Sequence, residues 1–242
     1  MKIKTSKLQG GAGYFIAGIH LVFHPSLRRY IVIPLLINTL LFSVASWVLW
    51  HYLMTTVDAM LPSWLDWLAW LILPVFIISL LSVVYYGFTI VANIIAAPFY
   101  GLLAKAVEAH LKGETPATAS NSSMIKEAIS ITLSELRKLW YYLVRATPLL
   151  LLSFVPGINV FSLPVWLLFS AWFLSFEYAG YAFENHAILF EQQKQVLRRS
   201  RWTSLSFGGC SLLATMVPVV NFLVPAISVA GATKMLIDRG DV

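Results

Sequence analysis

Two adjacent arginines, Arg28 and Arg29, stand in the stretch FHPSLRRYIVIPLLIN, Phe23 to Asn38, directly before an apolar run. If Ser26 lies near the N-cap of a helix starting there, the next backbone N–H groups point out of the helix end, where the dipole also favours an anion. Two guanidinium forks, each able to hold an oxyanion bidentately, make Ser26, Leu27, Arg28 and Arg29 a candidate site for a small tetrahedral anion. The same pair also suits a plainer role as the positive flank that orients a membrane helix, and on residue chemistry alone that role carries more weight. A second tripeptide of this kind, Leu197-Arg198-Arg199, shows how readily the pattern arises.

Other chemistry in the chain is sparse. Glu177, Glu184 and His186, in FEYAGYAFENH, are candidates for a proton relay near a membrane edge, with capping and pairing at a helix end as the favoured alternative. His20 and His24 have the i, i+4 spacing of a metal pair but no third ligand nearby, so a packed pair is the default and no metal or other cofactor is expected. The one cysteine, Cys210, cannot form an internal disulfide. Neither HExxH, GxSxG, a Walker A loop nor a Rossmann glycine pattern occurs, and the apolar blocks hold no carboxylate cluster, so an enzyme is not expected.

These residues sit in a chain built for lipid. Of 242 residues, 59% are hydrophobic and 12% charged, with a mean hydropathy of +0.77, which describes an integral membrane protein rather than a water-facing surface. Lys2, Lys4 and Lys7 precede an apolar stretch from Ala12 to Phe23 that resembles a signal peptide, but no small-x-small site follows it, and it reads as mature protein. Twelve residues at about 1.5 Å each fall short of a hydrocarbon core of about 30 Å, so this short helix belongs at the interface or against other helices.

The first long block, Tyr30 to Met54, holds no charge and is long enough to cross with some tilt, with Pro34 in its first turns. After a loop from Thr55 to Asp66, a second block runs from Trp67 to about Ala104, with Pro74 and Pro98 as expected bends or ends. Two later blocks, LLLLSFVPGINVFSLP and SLLATMVPVVNFLVP, are each broken in the middle by Pro and Asn. At an offset of 62, Trp140 matches Trp202, Leu150-Leu151 matches Leu212-Leu213, and Val155-Pro156-x-Ile158-Asn159 matches Val217-Pro218-x-Val220-Asn221; after a one-residue slip Pro164 falls on Pro225. This is the signature of a diverged internal repeat. Arms of roughly 13 to 17 apolar residues are too short for the bilayer core, which predicts two helical hairpins with turns at membrane depth, buried in protein or facing water. Four short full spans in a thinned bilayer are the alternative.

The expected fold is therefore all-α: two long transmembrane helices, two membrane-inserted hairpins and cytoplasmic amphipathic helices, in a single membrane domain over 1–242. Its parts are an N-terminal helix and anion loop (1–29), two transmembrane helices (30–104), a cytoplasmic loop and amphipathic helix (105–145), the first hairpin (146–183), and a basic helix with the second hairpin (184–242). The loop LKGETPATASNSS precedes the amphipathic helix, with Ser122 or Ser123 as its cap. All 17 Lys and Arg lie at residues 2–29 or 105–239, one side under this topology, and the positive-inside rule makes that side, with both termini, cytoplasmic. The stretches 122–145 and 184–201 would equally serve a membrane scaffold that binds a partner and transports nothing.

HPSLRRYIVIPLLIN, ANIIAAPFYGLLA, VPGINVFSLPVWLLFSAW and VPVVNFLVPAISVAGATKM, in that order over nearly the whole chain, resemble the CysZ family of bacterial inner-membrane sulfate transporters. The resemblance implies sulfate uptake for cysteine biosynthesis, proton-dependent transport, and an anion site at Pro25, Ser26, Leu27, Arg28 and Arg29. Two departures are visible: Lys105 where relatives often carry Glu, which argues against a carboxylate role there, and Ala182 where a Pro is usual. Partners expected are sulfate and the bilayer, with no nucleic acid. A deeper path would pass the hairpin turns at Asn159 and Asn221, and so little material to enclose a pore predicts a homo-oligomer.

Overall fold

The computed structural model describes residues 10–60, 69–114 and 124–242, and within these it is helical with no strands. Lys2, Lys4 and Lys7, the end of the expected loop at Asp66, and the caps Ser122 and Ser123 lie outside the described residues. Two compact units result, one formed from Tyr100–Val242 together with the chain up to Ile31, the other Val32–Phe99.

Val32–Phe99 contains most of two long helices, α2 (Arg29–Met60) and α3 (Ala69–Lys112). At about 1.5 Å per residue, 32 residues make about 48 Å and 44 make about 66 Å, so both outrun a bilayer core. The helix expected over Tyr30 to Met54 continues to Met60, and α3 continues past Pro74 and Pro98, so that neither of these expected bends or ends is an end. Leu36, Leu40, Trp47 and Trp50 of α2 and Ile78 of α3 are exposed, an apolar surface suited to lipid. Polar side chains there turn back on their own helix: Thr39 Oγ1 donates to Leu35 O, Ser43 Oγ to Thr39 O and Ser82 Oγ to Ile78 O, at 2.8, 2.8 and 2.7 Å. Each hydroxyl is thereby satisfied without water.

The other unit carries α1 (Gly11–Val22), α4 (Met124–Ser153), α5 (Ser162–Asn185), α6 (Phe190–Arg199), α7 (Arg201–Thr215), a single turn α8 (Pro218–Asn221) and α9 (Val224–Arg239). Its core joins Leu21 and Val22 of α1, Leu27, Leu103 and Val107 of α3, Phe176 and Phe183 of α5, Phe207 of α7, and Val229 and Met235 of α9. The short N-terminal helix packs on α9 and α7, as its length foretold.

Small residues let these backbones touch. A Cβ on Gly18 would collide with Ile227 O, and one on Gly231 would lie 2.6 Å from Tyr14 O, so α1 and α9 cross where neither has a side chain. Serines bridge the same seams: Ser175 Oγ donates to Ser204 O between α5 and α7, and Ser211 and Ser228 hydroxyls lie 2.9 Å apart between α7 and α9. Dispersion across such close crossings, with interhelical hydrogen bonds, is what holds helices together where lipid removes the hydrophobic drive.

Both segments aligned at offset 62 fall at helix-to-helix connections. Between α4 and α5 the chain turns at Phe154–Ile158 and a single 3-10 turn, Asn159–Phe161. The flanking helices pair antiparallel, with Tyr142 packed at a tilt against Phe169 and Phe173 (5.3 and 4.5 Å between centroids) and Trp166 Nε1 donating to Ser153 Oγ at 3.3 Å. Between α7 and α9 the chain turns through Met216–Leu223. The two pairs differ in length: α5 has 24 residues, about 36 Å, whereas α7 and α9 have 15 and 16, about 23 Å. Among the described residues Arg29–Val48 and Asn159–Asn185 are the stretches long and apolar enough to cross a membrane, so the second arm of the first pair exceeds the 13 to 17 residues expected.

Candidate functional site: a basic loop between the first two helices

Residues 23–28 form a tight turn between α1 and α2. Leu27 anchors it, fully buried among core residues of α1 and α3. An apolar side chain flanked by exposed neighbours fixes the loop's orientation, so Ser26, Arg28 and Arg29 face outward because Leu27 faces in.

The backbone donors are largely spent inside the turn. Leu27 N and Arg28 N both donate to His24 O (3.0 and 3.2 Å), Tyr30 N to Leu27 O (3.1 Å) and Ile31 N to Arg28 O (3.0 Å). His24 Nδ1 accepts from the Ser26 amide at 3.4 Å and lies 2.7 Å from Ser26 Oγ. Thus α2 starts at Arg29 rather than at Ser26, and the seryl hydroxyl pairs with an imidazole instead of capping the helix. The groups this loop leaves open toward solvent are consequently side chains rather than backbone amides.

The two arginines differ. Arg28 Nε donates to Phe23 O at 3.0 Å, which fixes the plane of the guanidinium and leaves both terminal nitrogens without a partner among the described residues. Arg29 spends Nη2 on Tyr30 Oη at 2.9 Å and lies over that ring at 4.8 Å. Arg28 therefore presents a prepositioned fork, and Arg29 a partly committed charge.

Behind the loop the last turns of α3 carry residues that the sequence reading passed over. The rings of His24 and His110 lie 4.2 Å apart. Burial, helped by the His24 ring, holds His110 below the ordinary histidine range. Glu108 accepts from Lys112 at 2.6 Å and lies 2.9 Å from His186 Nε2; burial works against its charge, but these two partners outweigh it and the carboxyl stays below the usual range. The i, i+4 spacing of Glu108 and Lys112 was readable in advance; that they meet His186 was not.

Because the unfolded chain protonates His110 at an ordinary pKa near 6.5 and the folded chain only at lower pH, folding loses stability as pH falls from about 6.5 through the lowered value. A His110→Phe protein, which keeps a ring against His24, is expected to lose less thermal stability between neutral and mildly acidic pH than the parent in the same detergent. Equal losses would remove His110 from the effect.

The proposed relay residues Glu177, Glu184 and His186 lie in the last turns of α5 and at its C-cap. Glu177 pairs with Lys138 at 3.7 Å, although that lysine is only 6% exposed, and His186 goes to Glu108. Glu184 Oε1 and Lys138 Nζ both lie 3.4 Å from where a Cβ on Gly180 would be, so Glu184 shares the lysine's neighbourhood. Asn159 and Asn221 are exposed, at the two helix connections. Asn159 O accepts from Ser162 Oγ (2.6 Å), and Asn221 N donates to Val217 O (2.9 Å).

Long exposed apolar helices, helix seams built from glycine and serine, and an outward basic loop at the start of a membrane-length helix define the class: a membrane protein that is helical throughout its described residues. Residues 14–225 match the family described as Sulfate transporter CysZ/Etoposide-induced protein 2.4, and the chain belongs to that family. A protein of Pectobacterium atrosepticum named Sulfate transporter CysZ is 42% identical over 235 residues, covering 96% of this chain and 86% of the relative.

Proposed function

We propose that this protein carries sulfate across the bacterial inner membrane, supplying cysteine biosynthesis. The observation that carries the reading is the prepositioned Arg28 fork beside Arg29, in a chain 42% identical to a protein named as a sulfate transporter. Arg28 and Arg29 form an entrance or exit site at the cytoplasmic edge, with both termini on that side. The α4–α5 and α7–α9 pairs enter the membrane as hairpins: the first reaches across the core, and the second, with arms of about 23 Å, ends within it. Their connections, at Asn159 and Asn221, line the deeper path. The N-terminal half of α4 and the basic helix α6 lie along the cytoplasmic surface, and several copies assemble to enclose the route.

A dianion entering a cell that is negative inside works against about 2.3 kcal/mol per charge per 100 mV, so about 4.6 kcal/mol for sulfate. That corresponds to a gradient of more than about a thousandfold. Coupling to protons removes the obstacle, and Glu177 and Glu184, both near Lys138, with His186 paired to Glu108, are the groups proposed to serve it.

Purified protein in liposomes is expected to admit labelled sulfate, faster under an inward proton gradient. Flux no greater than in protein-free liposomes would sink the transport reading and favour a scaffold, whereas flux indifferent to the gradient would remove the coupling alone.

A further inference from the structure

Away from the basic loop, a cleft of about 400 Å³ opens between α4, α5, α6 and α7, lined by Tyr141, Trp172, Arg198, Arg201 and Leu205. That volume is within the range of small-molecule sites, about 300 to 1,000 Å³. One wall is a fixed aromatic pair, because Trp172 Nε1 donates to Tyr141 Oη at 3.3 Å and Tyr141 packs on Phe190 at 5.3 Å. Arg145 covers the Tyr141 ring at 3.7 Å, so that arginine is already engaged.

Arg198 and Arg201 are not engaged in that way. Among the described residues Arg198 has no hydrogen-bond or ion-pair partner, and Arg201 meets only the Trp202 ring, at 6.0 Å. The nearby acid Glu191 is taken by Lys194. Two open guanidinium forks at the rim of an aromatic and aliphatic cleft match an amphipathic anion, with its phosphate on the arginines and its apolar part against Trp172 and Leu205. Trp202 is 75% exposed and Trp140 69%, as expected of rings at the headgroup level of a bilayer.

We infer that this cleft binds the phosphodiester headgroup of an anionic glycerophospholipid, docking the helix α6 and the start of α7 to the membrane surface. The inference rests on the proposed insertion of the two helix pairs, but not on sulfate transport. Basic pockets between membrane helices on the cytoplasmic side are a recurrent form of lipid recognition.

The test is a titration of the detergent-purified full chain with phosphatidylglycerol and, separately, phosphatidylcholine, with bound lipid read by native mass spectrometry. Phosphatidylglycerol is expected to bind the parent protein, and Arg198→Gln with Arg201→Gln to weaken it by about tenfold or more. Arg198→Lys, which keeps the charge and loses the fork, is expected to fall between them, and Arg28→Ala to bind lipid as the parent does. Both cleft arginines are exposed, so these substitutions leave the packing intact. Unchanged affinity in the double variant, equal binding of phosphatidylcholine, or an equal loss in Arg28→Ala would overturn the assignment. Displacement of the lipid by millimolar inorganic phosphate would overturn it in favour of a soluble oxyanion site. Sulfate flux measured on the same proteins separates this result from the transport reading.

Discussion

Replacing Arg28 with alanine is expected to weaken sulfate binding by about ten- to a hundredfold, the range for losing charge-assisted hydrogen bonds to an anion. Replacing Arg29 is expected to cost several-fold less. The asymmetry follows from geometry: Phe23 O holds Arg28 by Nε and leaves its two terminal nitrogens open, whereas Arg29 already donates to Tyr30 Oη. Because the amides of Ser26, Leu27, Arg28, Tyr30 and Ile31 are bonded within the turn, backbone donors offer little to replace a lost fork. Arg28→Lys is expected to recover only part of the loss, since a single ammonium restores charge without bidentate geometry. Labelled-sulfate binding to purified protein checks all three. Equal losses at the two positions would mean that the pair acts as undifferentiated charge. No loss at either would return both to setting topology.

Gly208→Val is expected to cost about 3 kcal/mol or more of stability, at the upper end of what overpacking does, because the obstacle is backbone that cannot swing aside. A Cβ at Gly208 would fall on the Ala171 carbonyl of α5 and come within 2.6 Å of Ser175 Oγ, which itself bridges to Ser204 O. The added methyls would separate α5 from α7 and break that bridge. The adjacent Gly209 supplies the control: nothing lies within 4 Å of a Cβ there, so Gly209→Ala is expected to be neutral or to stabilise by up to about 1 kcal/mol through helix propensity. Thermal or denaturant unfolding in detergent compares the pair. Similar values for both would show that α5 and α7 do not depend on their close approach.

Much of the fold was legible. A twelve-residue apolar stretch too short to cross became α1, Gly11–Val22, packed on other helices. The uncharged run from Tyr30 became α2, and the Pro-Asn breaks became the connections that precede α5 and α9. Helix ends were less legible: α2 passes Met54, and α3 does not end at either of its two prolines. Proline within a long helix removes one backbone bond, which the remaining ladder tolerates, so its presence alone does not mark an end.

The sequence by itself determined that this protein is built for lipid, that its Lys and Arg fall in two segments of the chain, and that Arg28 and Arg29 are a candidate pair for an anion or for a topological flank. These follow from composition, run length and charge position, which are local quantities. Only the tertiary structure decided what each arginine has left to give. Leu27 is drawn into a core shared with α1 and α3, which turns the loop outward, and His24 takes up the donors that a free helix start would have offered. Likewise Glu108 and His186, 78 residues apart, meet because α3 and α5 pack in one unit, and the Tyr141–Trp172 cleft exists because four helices converge. Burial and hydrogen-bond partners belong to pairs distant along the chain, and no spacing rule within one segment encodes them.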